Sequence, residues 1–598
     1  MDKQEKALVV FGEELPHKWP QSKHLLNVIV AKENLRRDVE AMGFKFVSIE
    51  LFIEAGSVHE ASAFAEELSR LTLPDGSRLA ESFTYKGYEL WWIYYTSLFL
   101  YFCLPWTQYK KLLEYLKDFE SIYLYQPPYK SLLFCYLKAY GCEASILRET
   151  GFKSPSFLPF GIFLQIIITL LCLPILMVKR YGLMVFVGDK FAKSKDYDFR
   201  MKFIYEELRQ RKIPFVEFIR SLESWKAVLQ HVFVRKRPVI YSEGVAFVGK
   251  SLSIVSGGRA LARARFGGHI LPLETNPEAR FKYLVATQYL LNVCDDVWAI
   301  RVMKWILRAI GIKAAFITAA TERNFHAFLG CKLNAIPTVG ILHGVASRYY
   351  TVYDFLPGFR GAKRMAVDKY GLWSEWWKKY YLENSKVYLP EQLHVSGLMR
   401  PLERKERSDL NTDSKGPTLK SSPVKVLFVA GQLTAPEEAM PYLLALVEAK
   451  DLSVHITFRP YRDDFEKWLR EHSLGTLEKI GEENILRGDI HEAIAQCDVI
   501  VGAYSTAVLE GLLQFRVPVF FRTKKWGDYY SLKEYDEEHS FFAENPAELI
   551  AKIKNARTVS KEDLKKLQEK YFGDPYKNGS KWVIDQLEEA LLKGYMTK

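Results

Sequence analysis

The chain has 598 residues, 48% of them hydrophobic and 26% charged, and a formal net charge of +12. That length is several times one typical core and favours about three folded units over a single one. The charge is scattered Lys and Arg with no zinc-finger spacing, no aromatic RNA-binding signature and no basic zipper, so nucleic acid is set aside as a partner in favour of phosphate-rich ligands or an anionic membrane surface.

Aromatic residues make up 14% of the chain, a surface that must go into cores, a sugar-binding cleft or a membrane interface, and composition does not choose among these. The seven cysteines are odd in number and sit mostly in apolar runs. They read as reduced core thiols of the cytosol with no metal site implied. The opening MDKQEKALVVFG runs straight into a strand-like stretch without the order of a signal peptide, so the soluble parts are expected in the cytoplasm.

Residues 1–150 carry strand-like runs at 7–11 and 122–125 among helical stretches and predict an N-terminal α/β accessory region. Inside it, 88–106 (YELWWIYYTSLFLYFCLPW) is almost uncharged and reads either as a buried helix or as an aromatic helix facing a membrane or an acceptor. Residues 151–180 hold the second apolar segment: FLPFGIFLQIIITLLCLPILMV at 157–178 has no charge and is followed at once by Lys179 and Arg180. It is long enough to cross a bilayer, but Pro159, Gly161 and Pro174 interrupt it. A monotopic or re-entrant attachment is the expectation, against a true span and a buried core helix.

From 181 to 409, strand-like runs at 183–187, 214–218, 238–242, 314–318, 338–342 and 393–396 alternate with helical stretches, the pattern of a parallel sheet covered on both faces. Residues 410–423 (LNTDSKGPTLKSSP) read as a linker. A second alternation fills 424–598, with strands at 424–430, 453–458, 499–502 and 517–521, and the helical stretch from 561 is placed to pack back across the preceding domain. The fold class expected is α/β: two facing Rossmann-like domains plus the N-terminal accessory region with its apolar, membrane-associating segment.

The most informative chemistry lies in CDVIVGAYSTAVLEGLLQFRVPVFF (497–521). Ser505 and Thr506 stand where a helix starts, so their hydroxyls and the first free amides are suited to a phosphate. Glu510, four residues on and so on the same helical face, is suited to ribose hydroxyls. The competing reading is ordinary capping by Ser505 with Glu510 in solvent. In NAIPTVGILHGVASRYYTVYDFLPG (334–358), His343 and Gly344 follow an apolar strand, at the end where doubly wound sheets bind ligands. A histidine there serves as a general base or as an imidazolium for phosphate, and the competing reading is a structural, hydrogen-bonded His.

Four short stretches taken in order, IPTVGILHG, GLWSEWWKKYY, LHVSGLMRP and DVIVGAYSTAVLEGLL, resemble the GT-B glycosyltransferase-like enzymes of bacterial surface carbohydrate synthesis. The style is that of CDP-glycerol glycerophosphotransferases and of capsule transferases using CMP-linked acidic sugars, over residues 310–550. The resemblance implies a catalytic role for His343 and a donor-nucleotide grip by Ser505, Thr506 and Glu510. Many relatives carry His-Pro after the second strand of the C-terminal domain where this chain has Arg459 and Pro460. An arginine clamps phosphate bidentately, so the role survives while donor identity stays open.

Further candidates are Gly431 and Gln432 after the first strand of the C-terminal domain, where backbone can approach a donor. Glu322, behind Thr321 at a helix start, is an acceptor-binding group or base, or else a simple cap. Asp354 and Arg348 are cleft candidates just beyond His343. The expected activity is a metal-independent, inverting transfer of a sugar or polyol phosphate from a nucleotide-activated donor, with no cofactor, to a lipid-linked glycan at the inner membrane surface. The alternatives are a nucleotide-sugar 2-epimerase of the same architecture and a non-catalytic membrane scaffold.

Overall fold

The computed structural model describes residues 6–19, 26–72, 76–148, 158–187, 201–219, 229, 238–258, 276–290, 292–317, 324–346, 348–349, 353–402, 423–431, 434–458, 464–528 and 541–596. Its framework is three parallel sheets with one wiring. The N-terminal sheet is built from β1 (Lys6–Val10), β2 (Leu26–Ala31) and β3 (Lys45–Ser48), then, after a small antiparallel ribbon of β4 (Thr84–Tyr85) and β5 (Tyr88–Glu89), from β6 (Ser121–Tyr125) and β7 (Glu143–Arg148). Its order is β3-β2-β1-β6-β7.

The middle sheet takes β8 (Leu183–Val187), β9 (Phe215–Ile219), β10 (Val239–Tyr241), β11 (Ala314–Phe316), β12 (Thr338–Ile341), β13 (Lys369–Leu372) and β14 (Leu393–Val395), in the order β10-β9-β8-β11-β12-β13-β14. The C-terminal sheet takes β15 (Val424–Val429), β16 (Leu452–Thr457), β17 (Ile485–Leu486), β18 (Val499–Gly502), β19 (Val517–Phe521) and β20 (Phe542–Ala543), in the order β17-β16-β15-β18-β19-β20. In each, the chain lays three strands one way and then returns past the first, the doubly wound arrangement. The all-apolar sequence of β8, LMVFV, is buried at every position, as helices on both faces require. The two facing Rossmann-like domains expected from the sequence are present. The strands that sequence reading passed over include β17 and β20, two residues each and too short to show a period, and β13, whose KYGL mixes a charge and a glycine into the run.

The aromatic segment is interior. It runs as successive 3₁₀, α and π turns from Leu90 to Cys103 and then as the α-helix Leu104–Leu116, with Trp91 and Trp92 fully buried and Tyr101 turned to solvent. Its rings fasten the N-terminal unit to the middle one: Trp91 and Tyr94 meet Tyr289, and Trp92 meets Phe359. Its one carboxylate, Glu89, accepts from Trp92 Nε1 at 2.7 Å and from Arg78 at 3.2 Å, which satisfies both oxygens.

The second apolar segment is the helix Leu158–Lys179, and it belongs to the middle unit. One side, including Gln165, Ile168, Thr169 and Leu176, is buried, and Tyr241 N–H of β10 donates to Thr169 Oγ1 at 3.2 Å. The opposite stripe, Phe163, Ile167, Leu170, Leu171, Ile175 and Val178, is exposed. Finally, the helix Gly579–Met596 leaves the C-terminal unit and packs across the middle sheet, where Arg211 reaches Asp585 at 2.6 Å and Lys369 donates to Gln586 at 2.5 Å.

Candidate functional site

In a doubly wound sheet the crevice opens at the carboxyl ends of the strands where the order reverses, between the first strand laid down and the one that returns past it. For the C-terminal unit these are β15, which leads to Gly431, and β18, which leads through Ala503 and Tyr504 to Ser505 and Thr506. In the middle unit β12 lies beside β11 at the same kind of edge and runs out into Leu342, His343 and Gly344. The two sets of strand ends meet. Val345 N–H donates to Thr506 Oγ1 at 3.1 Å, and a Cβ on Gly344 would stand 2.8 Å from the same oxygen. Only a glycine lets the turn after His343 approach the hydroxyl this closely. His343 is half-buried, one residue before the contact.

Ser505 occupies the N-cap of the following turn and makes no side-chain cap bond there. The helix expected behind it is short: one α-turn, Thr506–Leu509, tightens into the 3₁₀ turn Glu510–Gln514. A single turn has a small dipole, so hydroxyls and amides, more than a macrodipole, are what this end offers an anion.

Glu510 is buried, where the competing sequence reading had it in solvent. Arg400, after β14 of the middle unit, donates to its Oε1 at 2.8 Å, and His491 Nε2 lies 3.3 Å from its Oε2. Burial pushes the carboxyl pKa up, but the Arg400 charge and the His491 hydrogen bond outweigh it and hold the group at about 2. Burial likewise disfavours charge on His491, yet its bond to Glu510 raises its pKa above the usual imidazole value. The cluster is a carboxylate between two cations, drawn from both domains.

Sequence reading missed Arg400 and His491. Arg400 stood inside LHVSGLMRP, but its partner is 110 residues away in the chain, and no local spacing connects them. His491 is set by the short helix Ile490–Ala495, whose N-cap Asp489 accepts from the His491 N–H at 2.8 Å.

Asp354 is not a cleft group. Its side chain is buried, and the hydroxyls of Tyr370, Tyr381 and Tyr388 donate to it at 3.2, 3.0 and 3.0 Å. Burial raises its pKa, and the three phenols only partly oppose that. It is the centre of a tyrosine knot beneath the His343 loop. Arg348 is exposed, with its guanidinium 4.9 Å from the Tyr349 ring centroid, and its N–H donates to the Tyr380 hydroxyl at 2.9 Å. Gly431 brings backbone to within contact of Thr434, whose oxygen would be 2.9 Å from a Cβ there. Glu322, Gln432 and Arg459 lie outside the described residues.

A second polar knot supports the turn that carries Ser505 and Thr506. Thr523 Oγ1 shares a hydrogen bond with the Tyr504 hydroxyl at 3.3 Å and accepts from Trp526 N–H at 3.2 Å. Beside it, Lys525 N–H donates to Glu438 Oε1 at 3.1 Å, and burial raises the Glu438 pKa against the pull of that bond. The segment 523–527 therefore holds both the turn before Ser505 and the helix that starts behind Gly431.

Fold and site together define an α/β protein of three parallel-sheet units, in which the cleft between the middle and C-terminal units joins a histidine-ended strand to a hydroxyl-bearing turn. No family model matches the chain, and no curated protein matches it. Among solved structures it is similar to MnaA of S. aureus with UDP, at 13% identity and a TM-score of 0.39, over 69% of this chain and 96% of that one. It is similar to UDP-GlcNAc 2-epimerase of Neisseria meningitidis bound to UDP-GlcNAc, at 13% identity and a TM-score of 0.39, over 69% and 99%. MurG of Acinetobacter baumannii matches at 10% identity and a TM-score of 0.39, over 68% and 99%. At such identities and TM-scores no activity and no residue role is carried over from them.

Proposed function

We propose that the protein is a glycosyltransferase-type enzyme that moves a sugar or polyol phosphate from a nucleotide-activated donor to a lipid-linked glycan in surface polysaccharide synthesis. The observation that carries the reading is the bond from Val345 N–H to Thr506 Oγ1, which joins the turn after His343 to the hydroxyl pair. The acceptor hydroxyl oxygen attacks the donor carbon or phosphorus while the bond to the nucleotide phosphate breaks. The hydroxyl proton passes to the His343 imidazole, and the electron pair leaves with the phosphate. Ser505, Thr506 and Arg459 meet that phosphate, and positive groups and aligned N–H dipoles supply its stabilisation without a required metal. Glu510, already held by two cations, keeps Arg400 at the donor side of the cleft and has lone pairs left for ribose.

A lipid-linked acceptor gives the exposed apolar stripe of the helix Leu158–Lys179 a use. The neighbouring helix Ser242–Val255 adds Phe247, Ile254 and Val255, and Trp305 is exposed on the helix packed beside that one. With Lys179 and Arg180 at its end, this face suits a monotopic seat on the anionic inner leaflet of the cytoplasmic membrane. The helix lies on the bilayer in this reading, because Thr169 and Gln165 commit its other side to the middle unit.

The test is His343→Ala, assayed with a panel of CMP-, CDP-, UDP- and GDP-activated donors and a membrane acceptor fraction. Transfer should fall at least 10²-fold, the lower range for removing a general base, while donor binding by calorimetry stays within about threefold. Turnover at the wild-type rate removes His343 as the base. Conversion of a UDP-sugar by the wild-type protein without any acceptor replaces the transferase reading with an epimerase, and failure to bind any nucleotide replaces it with a scaffold.

A further inference from the structure

The N-terminal unit touches both walls of the cleft with one four-residue segment. Gly56 N–H donates to Lys524 O at 2.6 Å, and a Cβ on Gly56 would sit 2.1 Å from Lys525 O, so the donor-side turn closes directly on this backbone. The far end of the same turn closes on it too: a Cβ on Gly527 would be 3.1 Å from Gly56 O. Three residues along, His59 lays its ring on that of Tyr349 in the loop after His343, with centroids 4.1 Å apart and planes at 36°. Residues so close in sequence are at most about 11 Å apart, so one short piece of chain fixes how near the two walls stand.

The segment is itself held. Glu54 N–H donates to Gln108 O at 3.1 Å and Ser57 N–H to Thr107 Oγ1 at 3.4 Å, which ties it to the helix Leu104–Leu116. Ser57 then caps the helix Val58–Ser69 by accepting from Glu60 N–H at 3.2 Å. On the donor side the grip is transmitted inward. The turn it holds carries Thr523, bonded to Tyr504 next to Ser505, and Lys525, bonded to Glu438 behind Gly431.

We infer that residues 56–59 are a brace that sets the separation of the two walls, with Gly56 and His59 as positioning residues for the transfer proposed above. The inference rests on that reading for its effect on turnover but not for its effect on geometry. The brace places the Ser505 turn against the His343 loop by contacts on their outer sides and touches no substrate itself. It gives the N-terminal unit a mechanical purpose that a free accessory domain would lack.

The experiment measures the walls directly in the full chain. Nitroxides at Glu375→Cys in the middle unit and Lys467→Cys in the C-terminal unit, both exposed positions, report the interdomain distance by pulsed electron spin resonance. The otherwise unsubstituted chain should give one narrow distribution. His59→Ala should lengthen or broaden it, His59→Phe, which keeps the ring on Tyr349, should restore it, and Gly56→Val should widen it most. In transfer assays His59→Ala should lower kcat/KM at least tenfold with His59→Phe within threefold of the parent. A distribution unchanged in both His59→Ala and Gly56→Val overturns the brace. Because His59 is exposed, its two variants decide the matter even if Gly56→Val does not fold. A protein that transfers nothing but shows these shifts keeps the brace and loses the transferase reading.

Discussion

Two buried carboxylates, one in the middle unit and one in the C-terminal unit, have pKa values displaced in opposite directions. Asp354 is surrounded by neutral phenols, which give hydrogen bonds but no countercharge, so burial wins and its pKa rises. Glu510 is surrounded by Arg400 and His491, whose charges overcome a comparable burial and hold it at about 2. The lesson concerns use. A carboxylate among tyrosines fixes a loop, whereas one between cations keeps its charge where the two domains meet.

The sharpest way to break the comparison is to remove the cation from one side. Arg400→Ala leaves Glu510 buried without its principal countercharge and should cost about 3–5 kcal/mol, read by urea denaturation. A loss below about 1 kcal/mol would mean that Glu510 reaches water and that the contrast with Asp354 is false.

The pH dependence should differ in sign. Glu510 has a folded pKa of about 2 against 4.5 when unexceptional, so its contribution, about 3 kcal/mol, is complete above pH 4.5 and disappears as pH falls toward 2. His491 is raised, so its contribution is complete below pH 6.5 and is lost as pH rises through its folded value. The wild-type advantage over Glu510→Gln should therefore grow from pH 2 to 4.5 and recede as pH rises above 6.5 through the folded His491 value. Asp354 is the reverse of Glu510: from its ordinary value of 3.8 upward, wild type should lose stability relative to Asp354→Asn. Parallel profiles for the two substitutions would erase the distinction.

Smaller effects sharpen it. Asp354→Ala strips three phenols of their acceptor and should cost about 1–3 kcal/mol, and Asp354→Asn, which keeps the shape, should stay within about 1 kcal/mol. Donor binding should be unaffected in both, by calorimetry with the nucleotides that bind wild type, since neither reaches the cleft.

Much of the frame was legible from residues alone. The runs at 183–187, 499–502 and 517–521 are strands with those bounds, because five or so consecutive apolar residues between polar punctuation have few other folds in a doubly wound sheet. His343 and the 505–506 pair were legible as strand-end groups for the same reason. Asp354 was misplaced because its distance in sequence from His343 says nothing of depth. Glu510 was placed on the right element, but the helix expected there is a single turn and its partners come from residues 400 and 491.

The two apolar segments show the limit most plainly. Both are nearly free of charge over about twenty residues, and sequence offered a membrane to each. Tertiary packing separated them: Trp91 and Trp92 are interior, gluing two units together, while Leu171 and Val178 stand out in solvent. Periodicity and composition determined that this chain makes parallel α/β units and where the carboxyl ends of their strands fall, since those follow from local geometry and burial. Which edges face each other, which acid meets a cation and which apolar surface is left uncovered were decided only by long-range contacts, whose partners lie tens to hundreds of residues apart.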